Sequence, residues 1–260
     1  MLMIFVGISG AIDHGKSTLA EYMTATTPSA LHYESSDIIM EVANLLRASG
    51  TAPSAEDPVD ICSWLQALPE ILQNTAHTSV SFEDLLISPA RLLSNSDQFT
   101  TLISYLRLME LMPERAKTPI NRTNKNDYRM LLQWLGGYLA KTVSGQLWFE
   151  EIVTRATSSP VELVVAGGLR FPDDAVCLRQ AGAVILSIER PAITVQDPDE
   201  LTERERSQII ADSVIVNDGS LEALRLVAIQ VYDDLKTDSL KPQYIASSVE
   251  PTPRIGLSFH

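Results

Sequence analysis

The chain is poor in cysteine and in aromatic residues, and it has no long apolar run. Only two of its 260 residues are cysteines, Cys62 and Cys177, and they lie too far apart to form a metal-ligand pattern. This cysteine usage indicates a reducing compartment such as the cytoplasm. No run reaches the roughly 18 apolar residues that a membrane-spanning helix needs. The apolar N-terminal segment also lacks the basic start of a signal peptide, so we expect no membrane association.

Positive charge is the scarcer sign. The sequence contains 33 acidic and 20 basic residues, which gives a formal net charge of −13. A dedicated nucleic-acid-binding protein needs a basic face to release counterions, so this balance predicts no nucleic-acid partner. Apolar residues make up 45% of the chain, which is enough for a packed core. The composition leaves the oligomeric state open, a homodimer included.

A glycine-rich segment near the N-terminus matches the phosphate-binding P-loop pattern. An apolar run precedes it at 2–8 and a helix-forming run follows it at 18–23, which is the strand–turn–helix context that the pattern requires. Backbone N–H groups, the positive end of a helix and the Lys16 ammonium can together meet the phosphates of a nucleotide. Ser17 is placed to bind Mg²⁺, and Thr18 to support the α-phosphate. The segment consists of Gly10, Ala11, Ile12, Asp13, His14, Gly15, Lys16 and Ser17.

Strand and helix signals alternate in two parts of the chain, which we predict to form a P-loop core at 1–50 and 127–237. The alternation favours a parallel sheet flanked by helices, the three-layer α/β architecture of P-loop NTPases. Residues 51–126 carry helical patterns without a good strand and are predicted to be a helical insertion. Residues 238–260 are predicted to be an extended or disordered tail. The predicted strands after the first are 30–33, 161–166, 184–188 and 213–216.

Basic residues concentrate in one stretch of this acidic chain. Residues 107–129 contain six basic and three acidic side chains, a local charge of +3 (6 − 3). Arginine binds phosphate in a bidentate manner and stabilises a transferring phosphoryl group. The alternative to phosphate binding is that these basic residues lie on a solvated helix face. We favour phosphate binding for Arg129, because this residue begins a largely apolar helix. Arg170 follows the predicted strand at 161–166, and the ligand crevice of an open α/β sheet lies beyond such strand ends.

Three further residues follow predicted strands at the same edge of the sheet. Asp37 follows the second strand, where it can bind a substrate group, orient Mg²⁺ or simply cap the next helix. Asn217 and Gly219 follow the last strand and would lie near a nucleotide base, with a plain turn as the alternative.

Three segments besides the P-loop carry a resemblance to a known family: 129–136 with Gly145 and Trp148, 169–174, and 188–191 with 211–220. Taken with the P-loop and in this order, they resemble the phage-type deoxynucleoside monophosphate kinases, which are P-loop kinases similar to the adenylate kinase and dephospho-coenzyme A kinase families. The resemblance implies transfer of the ATP γ-phosphate, with Mg²⁺, to a (deoxy)nucleoside monophosphate. It implies that Lys16 bridges the β- and γ-phosphates, that Arg129 and Arg170 are catalytic and bind the acceptor, and that Arg190 is a lid arginine.

One departure from the resembled family and three alternatives stay open. Gly168 stands where the family usually has an aspartate. The alternatives are a kinase for another small acceptor such as dephospho-coenzyme A, a nucleotide-binding protein without kinase activity, and a GTPase switch. The GTPase alternative rests on Asp13 and His14 before Gly15 and on the guanine-reading pattern at 124–127, which lacks the buried strand it should follow. In a kinase, we expect Asp13 and His14 to be incidental loop residues.

Overall fold

Six strands form one parallel sheet in a computed structural model, which describes residues 3–94, 97–193 and 201–246. The order across the sheet is β2-β3-β1-β4-β5-β6, so β1 lies between β3 and β4. This confirms the predicted α/β class with a parallel sheet flanked by helices. The strands are β1 (Ile4–Ser9), β2 (Ala30–Glu34), β3 (Leu163–Leu169), β4 (Val184–Glu189), β5 (Ser213–Asn217) and β6 (Gln243–Ala246).

Helices occupy most of the chain between the strands. A 3-10 helix at Lys125–Tyr128 separates two of them. The α-helices are α1 (Lys16–Ala25), α2 (Ser35–Ala48), α3 (Pro58–Leu65), α4 (Leu68–Thr75), α5 (Pro89–Leu93), α6 (Asp97–Leu111), α7 (Pro113–Lys117), α8 (Arg129–Thr142), α9 (Leu147–Thr157), α10 (Pro172–Gln180), α11 (Leu201–Arg206) and α12 (Leu221–Lys236). In the part of the chain that the structure describes, no helix combines the length and apolarity needed to cross a bilayer.

The chain divides into two compact units. The sheet unit comprises the described residues of 3–32, 161–172, 183–193 and 201–246, and the helical unit comprises those of 33–160 and 173–182. In the sheet unit, apolar side chains of the central strands pack with α1 and α12 in one core. Its fully buried members include Val6, Ile8, Leu19, Met23, Leu163, Leu186, Ile188, Ile215, Ala228 and Val231. Its strand members alternate along the chain, as Val6 and Ile8 do in β1 and Leu186 and Ile188 in β4, so this core lies on one face of the sheet.

The helical unit is larger than the predicted insertion at 51–126. Helices α2, α8 and α9, which the sequence assigned to the core, belong to it. The reason is that α2 packs against α4, α8 and α9, and α8 packs against α6. The side-chain amide of Asn44 on α2 exchanges two hydrogen bonds of 2.8 Å with the backbone of Ile120. Apolar periodicity shows that a helix buries one face, but it does not show which partner covers that face.

A polar cluster in the helical unit centres on one buried carboxylate. The Glu151 side chain on α9 is fully buried and accepts from His77 at 2.7 Å and from Arg155 at 2.5 Å. Arg155 also donates to Glu41 on α2 and to the carbonyl of Thr75 on α4, both at 2.9 Å. Because its members come from α2, from α9 and from the end of α4 with His77, the cluster joins three parts of the helical unit to one another.

The predicted tail contributes a strand. The sequence predicts an extended or disordered end from residue 238, yet Gln243–Ala246 pairs in parallel with β5 as the sixth strand. The Tyr244 hydroxyl donates to Asp234 of α12 at 2.7 Å, which holds the pKa of that carboxyl below its usual value. Burial of alternate residues in β6 stabilises a strand that its short sequence did not reveal. The rest of the predicted tail, 247–260, lies outside the described residues.

Candidate functional site

The P-loop connects β1 to α1 as predicted. β1 ends at Ser9 and α1 begins at Lys16, with Gly15 as its N-cap residue. The first backbone N–H groups of a helix have no partner within the helix, so this end of α1 presents donors and a positive partial charge to an anion. The Lys16 ammonium donates to the carbonyl of Ala11 at 2.6 Å. This hydrogen bond holds the Lys16 side chain against the P-loop.

Two glycines of the loop have no room for a side chain. A Cβ atom on Gly10 would lie 2.6 Å from the carbonyl oxygen of Ile188 on β4. A Cβ atom on Gly15 would lie 2.8 Å from the amide nitrogen of Asn217, and the φ of Gly15 is +102°, in the left-handed region that favours glycine. The glycines of the motif thus allow the loop to pack directly against the ends of β4 and β5.

A pocket of about 580 Å³ opens at the P-loop. This volume lies in the usual range for small-ligand sites, roughly 300–1,000 Å³. Arg190, Asn217 and Gly219, each predicted from sequence, share the pocket with the loop. The sequence pointed neither to the apolar side chains of Leu221 and Leu224 nor to Ser220, whose hydroxyl caps α12 by accepting from Ala223. The lining residues are Asp13, Gly15, Lys16, Ser17, Thr18, Arg190, Asn217, Gly219, Ser220, Leu221 and Leu224.

The remaining predicted loop residues do not line this pocket. Gly10 packs on Ile188, Ala11 is buried, and the Ile12 side chain is largely exposed at the tip of the loop. Their contribution to a bound phosphate would come from the backbone. The sequence cannot separate these positions from their pocket-lining neighbours, because all belong to one motif.

His14 is not incidental, which corrects the expectation drawn from the sequence. It is buried, and its carbonyl oxygen accepts a hydrogen bond of 2.9 Å from the Asn217 side chain at the end of β5. Its Nδ1 atom lies 3.2 Å from the backbone N–H of Arg190, the residue after β4. Asn217 therefore supports the loop in addition to lining the pocket.

Arg170 leaves the sheet beside the P-loop. Ser9 of β1 pairs with Leu169 of β3, so the chain passes into Gly10 and into Arg170 at adjacent positions of the same sheet edge. The Arg170 side chain is exposed. It lies outside the lining of the P-loop pocket among the described residues.

Gly168 lies in a β-bulge. β3 extends to Leu169, three residues beyond its predicted end. Between the pairs Gly7–Ala166 and Ser9–Leu169, β3 contains one more residue than β1, and Gly168 has a φ of +82°. Glycine is the residue that most readily adopts this conformation at a bulge. The backbone thus gives a reason for glycine where the resembled kinases usually have aspartate.

Two predicted acceptor-binding residues, Asp37 and Arg129, belong to the helical unit. Arg129 is the exposed first residue of α8. Asp37 does not cap a helix, because α2 already begins at Ser35 and the Asp37 carboxylate accepts from Nε of Arg122 at 3.0 Å and from its Nη2 at 2.5 Å. Asp173 and Asp174, the nearest carboxylates in sequence to Gly168, also belong to the helical unit.

The guanine-reading pattern at 124–127 lacks the required context. Residues 118–124 contain no strand, and 125–128 form the 3-10 helix of the helical unit. The Asn124 amide donates to the carbonyl of Pro119 at 3.0 Å, and Asp127 pairs with Arg115 at 3.6 Å. These side chains stabilise their own turn, so the pattern gives no support to a GTPase.

The residues of the loop fit a triphosphate with Mg²⁺. Lys16, the N-terminus of α1 and Arg190 offer donors and positive charge to phosphates, and the Ser17 hydroxyl offers an oxygen ligand in the same pocket. No group of three or more potential metal-ligating side chains occurs among the described residues. Mg²⁺ typically keeps several waters and binds through one or two protein ligands and the phosphates of a substrate, so it needs no such group.

Compared with known proteins, the chain matches no family model and no curated protein.

Proposed function

We propose that this protein is a small-molecule kinase that binds ATP at the P-loop and phosphorylates a (deoxy)nucleoside monophosphate. The observation that carries the proposal is the composition of the P-loop pocket. Lys16, Ser17 and Thr18 at the start of α1 line it together with Arg190, Asn217 and Gly219, which follow or end β4 and β5. Such a pocket offers donors for a polyphosphate together with apolar surface from Leu221 and Leu224 for a base.

The residues have separate tasks in the transfer. The γ-phosphorus forms a bond with a phosphate oxygen of the acceptor while its bond to the β-phosphate oxygen breaks, and ADP leaves with that electron pair. Lys16 and the N–H groups at the start of α1 bind the phosphates and stabilise the charge that develops on the transferred group. The Ser17 hydroxyl, together with the phosphates, would hold Mg²⁺, which when bound would neutralise further charge. Arg190 approaches the same pocket from the end of β4.

The acceptor side is supported less directly. Arg170 leaves the sheet next to the P-loop and is our candidate for the acceptor phosphate. Roles for Arg129 and Asp37 on the acceptor side stay predictions from the sequence. Both cysteines are buried free thiols, which supports the cytoplasm as the compartment.

A coupled assay of ADP release over a panel of nucleoside and deoxynucleoside monophosphates tests the proposal. We expect release that depends on one acceptor class, with a rate at least about 100-fold lower for Lys16→Ala, because the main phosphate-binding cation is lost. Lys141→Ala is the matched control, since Lys141 is an exposed lysine in the last turn of α8. Turnover by Lys16→Ala at the rate of the control would refute the assignment.

Two further results of the same experiments would select an alternative. ATP binding without release for any monophosphate would favour dephospho-coenzyme A or another acceptor, tested in a second panel. If no acceptor in the second panel caused ADP release either, ATP binding alone would favour a non-catalytic nucleotide-binding protein. Tighter calorimetric binding of GTP than of ATP would favour a GTPase.

A further inference from the structure

His14 joins the P-loop to the ends of two neighbouring strands. Its backbone carbonyl accepts from the Asn217 amide at 2.9 Å, and its imidazole faces the backbone N–H of Arg190 at 3.2 Å. Asn217 ends β5 and Arg190 follows β4. Lys16, two residues after His14, shares the pocket with both of these partners.

The contacts of His14 determine where its proton lies. The backbone N–H of Arg190 can only donate, so Nδ1 has to present a lone pair to it. The carbonyl oxygen of Ile188 is 3.4 Å from the same Nδ1 and can only accept, which makes it the weaker and incompatible contact. An unprotonated Nδ1 is therefore the form of the imidazole that pairs with the N–H of Arg190. It acts on Arg190 as a hydrogen-bond acceptor.

The orientation of Asn217 follows from the same reasoning. The carbonyl oxygen of His14 can only accept, so the amide nitrogen of Asn217 faces it. That nitrogen is also the atom closest to the position of a Cβ on Gly15. The loop thus rests on the Asn217 side chain just before the donors at the start of α1.

We propose that His14 is a positioning residue for the polyphosphate part of the nucleotide. The hydrogen bond from Asn217 to the His14 carbonyl holds the P-loop against the end of β5. The hydrogen bond from the Arg190 N–H to Nδ1 holds the backbone of Arg190 beside the same loop. The N–H groups of the P-loop and the Arg190 side chain are consequently held in a fixed arrangement for binding one polyphosphate. The inference rests on the proposed function, because it assumes that a triphosphate binds in this pocket.

Three substitutions of His14 distinguish the effect of its acceptor atom from the effects of its side-chain volume and polarity. In His14→Asn, the amide oxygen can occupy the position of Nδ1. His14→Gln is equally polar but carries its oxygen one methylene further out, and His14→Leu fills the space without any acceptor. The probes are inorganic tripolyphosphate, ATP and adenosine, each measured by titration calorimetry on the full chain.

We expect His14→Asn to bind tripolyphosphate within about twofold of the wild type. His14→Leu and His14→Gln should bind it about threefold to tenfold more weakly, as the loss of one hydrogen bond implies. Adenosine affinity should stay unchanged in all three variants. Amide exchange at Arg190, measured without ligand, should be slow in the wild type and His14→Asn and faster in the other two.

The possible contrary results have different meanings. If His14→Leu and His14→Gln bind tripolyphosphate like the wild type, or if His14→Asn loses as much affinity as they do, the inference is overturned while ATP binding by the wild type stands. Equal losses for adenosine and tripolyphosphate would show a general structural role and overturn it as well. If the wild type binds neither ATP nor tripolyphosphate, the proposed function fails and the inference fails with it. Fast exchange at the Arg190 amide in the wild type would contradict the hydrogen bond itself.

Discussion

Gly15→Ala is the substitution to which the P-loop should be most sensitive for reasons of backbone geometry alone. Gly15 has φ +102° and ψ 19° as the N-cap residue of α1. An alanine in a left-handed conformation is destabilised by about 1–2 kcal/mol because its Cβ crowds the backbone. Relaxing φ toward the right-handed region would turn the N–H groups at the start of α1 away from the pocket. The variant therefore loses either stability or phosphate affinity.

A second cost comes from the neighbouring strand end. The new Cβ would lie 2.8 Å from the Asn217 amide nitrogen, whereas the side chains of Ile188 and Leu224, at 3.5 and 3.6 Å, are at ordinary contact distance. Only Asn217 has to move, and moving it breaks its bond to the His14 carbonyl. A buried hydrogen bond of this kind contributes about 0.5–1.5 kcal/mol. Adding the backbone term, we expect a loss of about 1.5–3.5 kcal/mol in the free energy of unfolding of the sheet unit.

The probe has to report on the sheet unit. The three tryptophans, Trp64, Trp134 and Trp148, all belong to the helical unit, so their fluorescence reports on unfolding there. Amide hydrogen exchange of peptides from β1 and β4, resolved by mass spectrometry, measures the sheet unit directly. ATP affinity by calorimetry is the second measurement.

Gly137→Ala provides the control for the general effect of replacing glycine. Gly137 is an exposed residue of α8, and a Cβ there meets nothing within 4 Å. Alanine in the middle of a helix should stabilise it by about 0.5–1 kcal/mol. The double variant Gly15→Ala/Asn217→Ser removes the steric part and leaves the backbone part, so its stability loss should be smaller than the sum of the two single losses. Wild-type exchange rates and ATP affinity in Gly15→Ala would refute this reasoning.

Two predictions concern the helical unit. Burial, and then the carboxylates of Glu150 and Asp174, raise the pKa of Cys177 to about 11, so iodoacetamide should label Cys177 only slowly at pH 8 and much faster above pH 10. Peptide mass spectrometry checks this, and rapid labelling of native protein at pH 8 would contradict it. Glu151→Gln should cost about 2–4 kcal/mol in urea unfolding followed by tryptophan fluorescence. Glu56→Gln, which breaks an exposed pair with Arg107 in the same unit, should cost less than about 0.5 kcal/mol; equal effects of the two substitutions would show that the burial of Glu151 adds nothing to stability.

The sequence predicts the strand–turn–helix context of the P-loop pattern correctly because its determinants are local. A strand, a tight turn and a helix follow one another within 25 residues, and each has its own signal in apolar runs and glycines. The alternation of strands and helices from residue 161 onward is also correctly predicted, with shifts of a few residues at the ends. The largest shift at the end of a strand, that of β3, occurs where a bulge admits two glycines into the strand.

The sequence fails where partners are distant in the chain. β6 has only four residues, and its pairing with β5 decides that they form a strand. The grouping of α2, α8 and α9 likewise depends on which apolar faces meet, and a periodicity specifies only that such a face exists. Residues 243–246 do not alternate polar and apolar types, since the exposed Ile245 is apolar, so the sequence carried no period-two signal for β6.

The motif at 10–17 does not by itself determine which other residues of the chain surround it in the candidate site. The groups that donate to His14 are the backbone N–H of Arg190 and the side-chain amide of Asn217, which lie 176 and 203 residues away in the chain, at the ends of β4 and β5. They reach the loop because β4 lies beside β1 and β5 lies beside β4 in the sheet. In a different strand order, the same eight residues would form a P-loop without the Asn217 support and without Arg190 in its pocket. The order of the strands thus decides which side chains accompany Lys16, and with them how firmly the loop can hold a polyphosphate.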